Sequence, residues 1–211
     1  MKIVLFDLDG TITDSSEGIV NSIKYALSRL GFPDEPAEKI QTYIGPALHD
    51  TFKKHYEIED TAGAVAIYRE YYATKGIFEN KLYEGITEVL EILKSQNYTL
   101  AVATGKPTYF SEIILKHFQI DHYFDAVVGS NMDGSRSDKK EIIAEVFKQL
   151  KYNPEVHEAT MIGDRFHDVH GAKHHNIPCI GVSYGYSEGD ELIQAGAIKV
   201  IDHPMEIIAL F

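Results

Sequence analysis

Cysteine is almost absent from the sequence, because Cys179 is the only one among 211 residues. An intrachain disulfide is therefore impossible, which excludes the disulfide-scaffold proteins. The thiol lies in the apolar run 178–182, where nothing nearby would stabilise a thiolate. We therefore expect a buried structural residue and not a nucleophile.

Long hydrophobic runs are also missing. No apolar run approaches the ~18 residues that a membrane-spanning helix needs. Residues 1–6 begin like a signal peptide, but Asp7 and Asp9 end that run short of the ~7 apolar residues that a signal requires. We therefore expect a cytoplasmic protein whose mature chain begins at Met1, with no membrane partner.

The sequence has fewer basic than acidic residues. The chain has 20 Lys and Arg against 32 Asp and Glu, a net charge of −12. This acidic field repels phosphate backbones, which argues against nucleic-acid binding, although a local cationic pocket could still bind a small anion. With 44% apolar and 25% charged residues, the composition is that of an ordinary soluble globular protein. The length fits one large domain or a core with an insertion.

Short apolar runs, typical of strands buried on both faces, alternate with helical patterns along most of the chain. This alternation predicts an α/β fold, a doubly wound parallel sheet of the Rossmann-like kind with right-handed crossovers. Residues 15–80 show helical spacing only, which predicts an inserted all-helical segment between two parts of the core, residues 1–14 and 81–211. The predicted strands are residues 3–6, 100–103, 126–128, 159–162, 179–182 and 199–201.

Polar side chains follow four of these strands. Ligands of open α/β sheets bind beyond the carboxyl ends of the strands, so we expect these side chains to meet at one edge. They are Asp7 and Asp9 after the first strand, Thr104 and Lys106 on either side of Gly105 after the second, Lys139 and Lys140 beyond the third, and Asp164 with Asp168 after the fourth.

The acidic residues among them predict a cation site. Asp7 and Asp9 are two residues apart, so both point to the same side if strand geometry persists. Two such carboxylates repel each other and require a proton or a cation between them. Asp164 would add a third. Hard oxygen ligands without a matching Cys or His set favour Mg²⁺ over zinc.

Four short motifs, in order and spread over essentially the whole chain, resemble those of the haloacid dehalogenase superfamily. The helical segment that follows the first motif resembles the cap domain of the phosphoglycolate phosphatase-like branch. The motifs are Asp7-x-Asp9-Gly10-Thr11, Thr104, Lys139 and Gly163-Asp164-x-x-x-Asp168.

The resemblance implies a role for each motif residue. Asp7 would be the nucleophile that takes the phosphoryl group, and Asp9 would protonate the leaving oxygen and then deprotonate the attacking water. Thr104, Gly105 and Lys139 would bind the substrate: Thr104 hydrogen-bonds a phosphoryl oxygen, and Lys139 holds nucleophile and phosphate together.

The same resemblance implies the metal ligands. Asp7, the main-chain carbonyl of Asp9 and Asp164 would coordinate Mg²⁺, with Asp168 supporting the site.

Two positions depart from the family pattern. The family usually has Pro after the lysine of the third motif, whereas Lys140 follows Lys139 here, so Lys140 stays open as the phosphate-binding lysine. Lys139 is better placed relative to the apolar helix positions Ile142 and Ile143. The second motif reads Thr-Gly-Lys, where the branch often has Asn or Ser in the middle.

Electrostatics supports phosphate chemistry independently of the resemblance. Two unit charges 4 Å apart repel by about 4 kcal/mol at an effective dielectric constant near 20, and a phosphate dianion roughly doubles this. A magnesium ion and a lysine ammonium would neutralise that repulsion. Covalent catalysis splits one difficult displacement into two. The resemblance adds that Asp9 points to phosphoryl transfer, because a dehalogenase of the same superfamily typically lacks this second aspartate.

We therefore expect a Mg²⁺-dependent phosphatase that acts on a small phosphomonoester through an aspartyl-phosphate at Asp7. Phosphoglycolate is the first substrate expected, by resemblance alone. A nucleoside 5′-monophosphate, pyrophosphate or a sugar phosphate would suit the same residues. The helical segment would act as a lid that excludes water.

A receiver-type signalling module is an alternative of another class. It also uses an acidic pair, Mg²⁺, a Thr and a Lys on a doubly wound sheet. Its acceptor aspartate stands apart from the acidic pair, however, and it has no inserted helices. The inserted helices and Thr11 after Asp9-Gly10 favour the phosphatase.

Overall fold

The computed structural model describes all residues, 1–211, and the chain divides into two compact units. One, which we call the core unit, comprises Met1–Thr13 and Leu82–Phe211; the other, the helical unit, comprises Asp14–Lys81. These bounds fall one residue from the predicted ones. The role of the helical unit as a lid stays a prediction.

The chain contains eight strands and nine α-helices. The strands are β1 (Lys2–Phe6), β2 (Thr13–Asp14), β3 (Lys81–Leu82), β4 (Thr99–Pro107), β5 (Ala126–Ser130), β6 (Glu158–Gly163), β7 (Cys179–Val182) and β8 (Lys199–Ile201). The helices are α1 (Ser16–Arg29), α2 (Ala37–Gln41), α3 (Leu48–Tyr56), α4 (Thr61–Tyr72), α5 (Ile86–Ser95), α6 (Thr108–His117), α7 (Lys139–Gln149), α8 (Phe166–His174) and α9 (Glu191–Ala195). Short 3₁₀ segments span Gly76–Phe78, Asp121–Tyr123 and Pro204–Leu210.

Six strands of the core unit form one sheet in the order β5-β4-β1-β6-β7-β8. Every neighbouring pair is parallel, as the alternation of strands and helices predicts. Counted along the chain, this is the 3-2-1-4-5-6 order of a doubly wound Rossmann-like sheet, so the predicted fold class is confirmed. The strand order reverses between β1 and β6, which is where such sheets bind their ligands.

Strand β1 is buried on both faces, as its continuous apolar sequence predicts. Ile3 and Leu5 belong to a buried cluster that includes Val169 of α8. Val4 and Phe6 point to the opposite face and are also fully buried. The centre of the sheet is therefore a rigid platform for the loop that follows β1.

The helical unit consists of α1–α4 and the 3₁₀ segment Gly76–Phe78, with no strand between residues 15 and 80. A Cβ added at Gly18 of α1 would lie 1.9 Å from the carbonyl oxygen of Gly76, so glycine is required where the two segments cross. Ile23, Ile40 and Phe52 form part of the buried interior of this unit. The segments at its two ends, β2 and β3, pair as a separate two-stranded sheet.

None of the helices combines the length and the apolar character that a membrane crossing requires.

Cys179 lies in β7 and is 3% exposed, which confirms the expected buried position. Burial raises the pKa of its thiol, so the reactive thiolate is suppressed. We expect the native protein to react with Ellman's reagent at pH 8 at least about 100-fold more slowly than the guanidinium-unfolded chain, because labelling requires local opening of the sheet. Cys179→Ala supplies the blank. Equal rates for native and unfolded protein would show that the thiol is accessible.

Candidate active site

The loop after β1 is folded tightly against the end of β6. The Asp7 amide donates to the carbonyl oxygen of Ile162 at 2.9 Å and so extends the β1–β6 ladder by one residue. Further on, the Thr13 amide donates to Leu8 O at 3.0 Å, and the Gly10 amide donates to Thr13 O at 2.8 Å. These bonds close the loop and fix Asp7 and Asp9 at the carboxyl edge of the sheet.

Two glycines let this loop contact Asp164 directly. Gly10 has φ +81°, and a Cβ there would lie 2.2 Å from Asp164 Oδ2. A Cβ at Gly185 would lie 2.2 Å from the Gly10 carbonyl oxygen and 2.4 Å from Asp164 Cβ. The loop after β1, the end of β6 and the loop after β7 therefore meet around one carboxylate.

Asp7, Asp164 and Asp168 form an acidic cluster in which each carboxylate offers an oxygen within 4.8 Å of the others. Asp164 and Asp168 are fully buried, whereas the Asp7 side chain is 13% exposed. Burial raises the pKa of Asp7 to about 6, with the Lys139 ammonium opposing the shift and Asp168 adding to it. Burial and the charges of Asp7 and Asp168 raise the pKa of Asp164 well above its usual range. The cluster thus favours an added positive charge.

Hydrogen bonds hold the two buried members of the cluster. Thr11 Oγ1 donates to Asp164 Oδ1 at 3.2 Å, and the Tyr186 amide donates to Asp164 Oδ2 at 2.8 Å. Asp168 closes the capping box at the start of α8, where its Oδ2 accepts from the Arg165 amide at 3.1 Å. Both carboxylates are therefore oriented by the backbone around them.

Lys139, the first residue of α7, supplies the cation of the cluster. Its Nζ lies 2.6 Å from Asp168 Oδ1 and 3.1 Å from Asp7 Oδ1, and it donates to Ala103 O at 2.8 Å. Burial lowers the pKa of Lys139, but the charges of Asp168 and Asp7 outweigh burial and raise the pKa above its ordinary value. A Cβ at Gly171 of α8 would lie 2.6 Å from Lys139 Cγ, so that glycine makes room for the lysine side chain.

Lys140, the other lysine left open by the sequence, lies elsewhere. Its side chain is 49% exposed and its Nζ is 3.0 Å from the carboxylate of Asp138. In this structure Lys139 is the lysine that contacts Asp7.

Thr104 and Gly105 lie in the last part of β4, which continues to Pro107 beyond the predicted end at residue 103. The Thr104 side chain is buried and hydrogen-bonds to Asp7, which lowers the pKa of that carboxyl. Gly105 is exposed, and a Cβ there would meet nothing within 4 Å. Its carbonyl oxygen accepts from Ser130 Oγ at 2.8 Å. Thr104 therefore belongs to the cluster around Asp7, and Gly105 borders open space beside it.

The Asp9 carboxylate does not join the acidic cluster. Instead, Lys106 Nζ contacts both of its oxygens, at 2.8 and 2.5 Å. The Lys106 side chain is 6% exposed and that of Asp9 is 20% exposed. The strand pattern predicts Lys106 at this edge of the sheet, but none of the four motifs gives it a role. The signal that could have found it is the two-residue spacing from Thr104, which repeats the spacing of Asp7 and Asp9.

Comparison with known proteins identifies the class. The family described as haloacid dehalogenase-like hydrolase matches residues 4–182. The chain is 41% identical over 191 residues to a 5′-nucleotidase of Pseudomonas aeruginosa, covering 90% of this chain and 86% of that protein. It is 37% identical to the tyrosine-protein kinase PtkA of Mycobacterium tuberculosis, covering 98% and 70%. It is 28% identical to a phosphoglycolate phosphatase of Vibrio parahaemolyticus, covering 99% and 95%.

A solved structure supports the same assignment. The crystal structure of a predicted phosphatase from Clostridium acetobutylicum matches with a TM-score of 0.93 and 42% identity, covering 99% of this chain and 97% of that one. The chain therefore belongs to the haloacid dehalogenase-like hydrolases. Within that family it is a phosphatase, and the predicted membership of the haloacid dehalogenase superfamily is confirmed.

Gly10→Ala tests whether the close contact between this loop and Asp164 is needed. The new Cβ would lie 2.2 Å from Asp164 Oδ2, so the loop must move, and we expect phosphatase activity to fall at least about 100-fold. Gly31→Ala is the matched control: Gly31 also has φ +81°, but a Cβ there meets nothing within 4 Å. It should cost about 1–2 kcal/mol of stability from backbone strain alone and leave kcat unchanged. Thermal melts and phosphate release measure both effects; equal kcat values for the two variants would contradict the role given to this contact.

Proposed function

We propose that the protein is a Mg²⁺-dependent phosphatase that transfers the phosphoryl group of a small phosphomonoester to Asp7 and then hydrolyses the aspartyl-phosphate. The observation that carries this proposal is the exposure of the acidic cluster. Asp164 and Asp168 are fully buried, and Asp7 alone of the three retains exposed surface, 13% of its side chain. Asp7 is therefore the member that an incoming phosphorus atom can reach.

The residues present fit a magnesium ion. The cluster offers only carboxylate oxygens, which are hard ligands, and contains no histidine or cysteine. Asp7, Asp164 and the main-chain carbonyl of Asp9 would hold the ion, with Asp168 orienting Lys139 beside it. When bound, Mg²⁺ would offset the charge that builds up on the phosphoryl oxygens.

The side chains then carry the two half-reactions. An Asp7 carboxylate oxygen attacks phosphorus, and the ester oxygen leaves with a proton from Asp9. In the second step Asp9 takes a proton from water, whose oxygen attacks the phosphorus of the aspartyl-phosphate and frees the Asp7 carboxylate and inorganic phosphate. Thr104 would donate a hydrogen bond to a phosphoryl oxygen, and Lys139 would offset the repulsion between Asp7 and the phosphate.

For the substrate, we place nucleoside 5′-monophosphates ahead of phosphoglycolate. The relative whose name specifies 5′-nucleotidase activity is 41% identical, whereas the phosphoglycolate phosphatase of Vibrio parahaemolyticus is 28% identical. The cytoplasmic location expected from the sequence stays a prediction.

Asp7→Asn should abolish phosphate release, because an amide cannot act as the nucleophile, and should leave the melting temperature unchanged or raise it, because one charge of the repelling cluster is lost. The matched control is Asp121→Asn, which alters an exposed aspartate of the core unit and should keep full activity. An Asp7→Asn variant that retains more than about a hundredth of the wild-type turnover contradicts covalent catalysis at Asp7.

A panel of phosphate esters tests metal dependence and the class of substrate together. The panel contains nucleoside 5′-monophosphates, phosphoglycolate, a sugar phosphate and pyrophosphate, each assayed with Mg²⁺ and with EDTA. We expect multiple-turnover phosphate release that EDTA removes and added Mg²⁺ restores. Release that is indifferent to EDTA contradicts the metal site. A single phosphorylation without turnover indicates a receiver-type module.

A further inference from the structure

A second lysine–aspartate pair lies in the core unit beside the acidic cluster. Lys139 contacts Asp7 and Asp168, whereas Lys106 binds both oxygens of Asp9. Each of the two aspartates of the first motif is therefore paired with a different lysine whose side chain is almost fully buried. Lys139 belongs to one of the four motifs described in the sequence analysis, whereas Lys106 belongs to none.

The backbone that carries Lys106 is held by several specific contacts. The pairing register of β4 with β5 shifts between Ala103 and Pro107, so the strand is irregular where Lys106 lies. Such irregularities re-aim side chains at the edges of sheets. A Cβ at Gly129 of β5 would lie 2.0 Å from the Lys106 carbonyl oxygen, so only glycine permits this approach.

Side chains hold the same segment from both sides. The Lys106 amide donates to Thr104 Oγ1 at 3.2 Å. The Gly129 amide donates to Thr108 Oγ1, and Ser130 Oγ donates to the carbonyl oxygen of Gly105, each at 2.8 Å. The backbone at Lys106 is therefore held by β5 and by the side chains of Thr104 and Thr108.

Both oxygens of the Asp9 carboxylate are engaged by one ammonium, yet the group keeps room for a proton. A carboxylate has about four lone-pair sites, and the lysine occupies one on each oxygen. One-fifth of the Asp9 side chain remains exposed. Lys106 can thus fix the direction of the carboxylate, while the exposed part of the Asp9 side chain remains accessible to a leaving group or to water.

We propose that Lys106 is a positioning residue, which holds the Asp9 carboxylate in the orientation that proton transfer to and from the substrate requires. This inference rests on the phosphatase function proposed above. Lys106 acts through Asp9 and not by binding the substrate, so its effect should appear in kcat and not in KM.

The first test compares Lys106→Met with Lys106→Arg. Methionine keeps most of the side-chain volume but removes the ammonium that holds Asp9. We therefore expect kcat to fall at least about tenfold, while KM changes less than about threefold. Arginine can bind a carboxylate through two parallel hydrogen bonds and should restore much of the loss. The control is Lys94→Met, which breaks another lysine–aspartate pair of the core unit, 2.9 Å from Asp125, and should leave kcat unchanged. An unchanged kcat in Lys106→Met, or a rise in KM at constant kcat, overturns the proposal.

A double-mutant cycle separates positioning from an independent role. The assay measures the release of inorganic phosphate from p-nitrophenyl phosphate by three variants: Asp9→Asn, Lys106→Met and the double variant. Where turnover is slow, a single turnover is followed at high enzyme concentration. If Lys106 acts through Asp9, the double variant is no slower than Asp9→Asn alone. Losses that multiply show that Lys106 acts on the substrate or on the fold, and they overturn the proposal.

Further measurements distinguish loss of the Lys106 contact from misfolding of the variant and from failure of the proposed function. Circular dichroism melts check that each variant folds, and Lys106→Gln, which is also uncharged, repeats the cycle if the methionine variant does not fold. A wild-type protein without Asp7-dependent phosphate release contradicts the proposed function itself. A wild-type protein with such activity, but with Lys106→Met unimpaired, contradicts only the role of Lys106.

Discussion

The mutual repulsion of carboxylates at the reversal point of the sheet is the constraint on which the rest of the site depends. Asp7, Asp164 and Asp168 offer oxygens within 4.8 Å of one another, and two of the three residues are fully buried. Such a cluster destabilises the fold unless positive charge is supplied. Lys139 supplies part of it, while burial and the neighbouring carboxylates raise the pKa values of Asp7 and Asp164 above their usual range. A divalent cation would supply the positive charge that the cluster still lacks.

The two aspartates of the loop after β1 differ in the lysine that each one contacts. Asp7 faces Lys139 and the buried carboxylates, and Asp9 faces Lys106. A nucleophile and an acid–base group need different surroundings, and environments that differ at two neighbouring carboxyl groups are a recurrent way to divide these roles. The structure provides that difference within three residues, through two lysines that come from α7 and from the end of β4.

Several parts of this arrangement follow from the sequence for identifiable reasons. The runs 3–6 and 179–182 are continuously apolar because both faces of a parallel sheet are covered, and the strands lie there. The meeting of Asp7 with Asp164 follows from the rule that ligands collect beyond the carboxyl ends of the strands. The position relative to Ile142 and Ile143 already favours Lys139 over Lys140. Packing beside Gly171 of α8 encloses Lys139, whereas the Lys140 side chain is 49% exposed.

The strand pattern predicts Lys106 and Asp9 at the same edge of the sheet, but it does not predict that their side chains pair. Strand β4 runs past Thr104 with a shifted register, and neither propensity nor hydrophobic period reports such a shift. The close approach at Gly129 that permits it involves a residue more than twenty positions away. Contacts of this kind depend on tertiary packing and become visible only in three dimensions.

Trapping of the aspartyl-phosphate is the most direct test of the proposal that Asp7 takes the phosphoryl group. The protein is mixed with a ³²P-labelled ester that it hydrolyses, quenched in acid within the first turnover and digested for mass spectrometry. We expect a label that hydroxylamine releases, on the peptide that contains Asp7. A label on another residue, or an active enzyme that never carries label, would show that Asp7 is not the nucleophile.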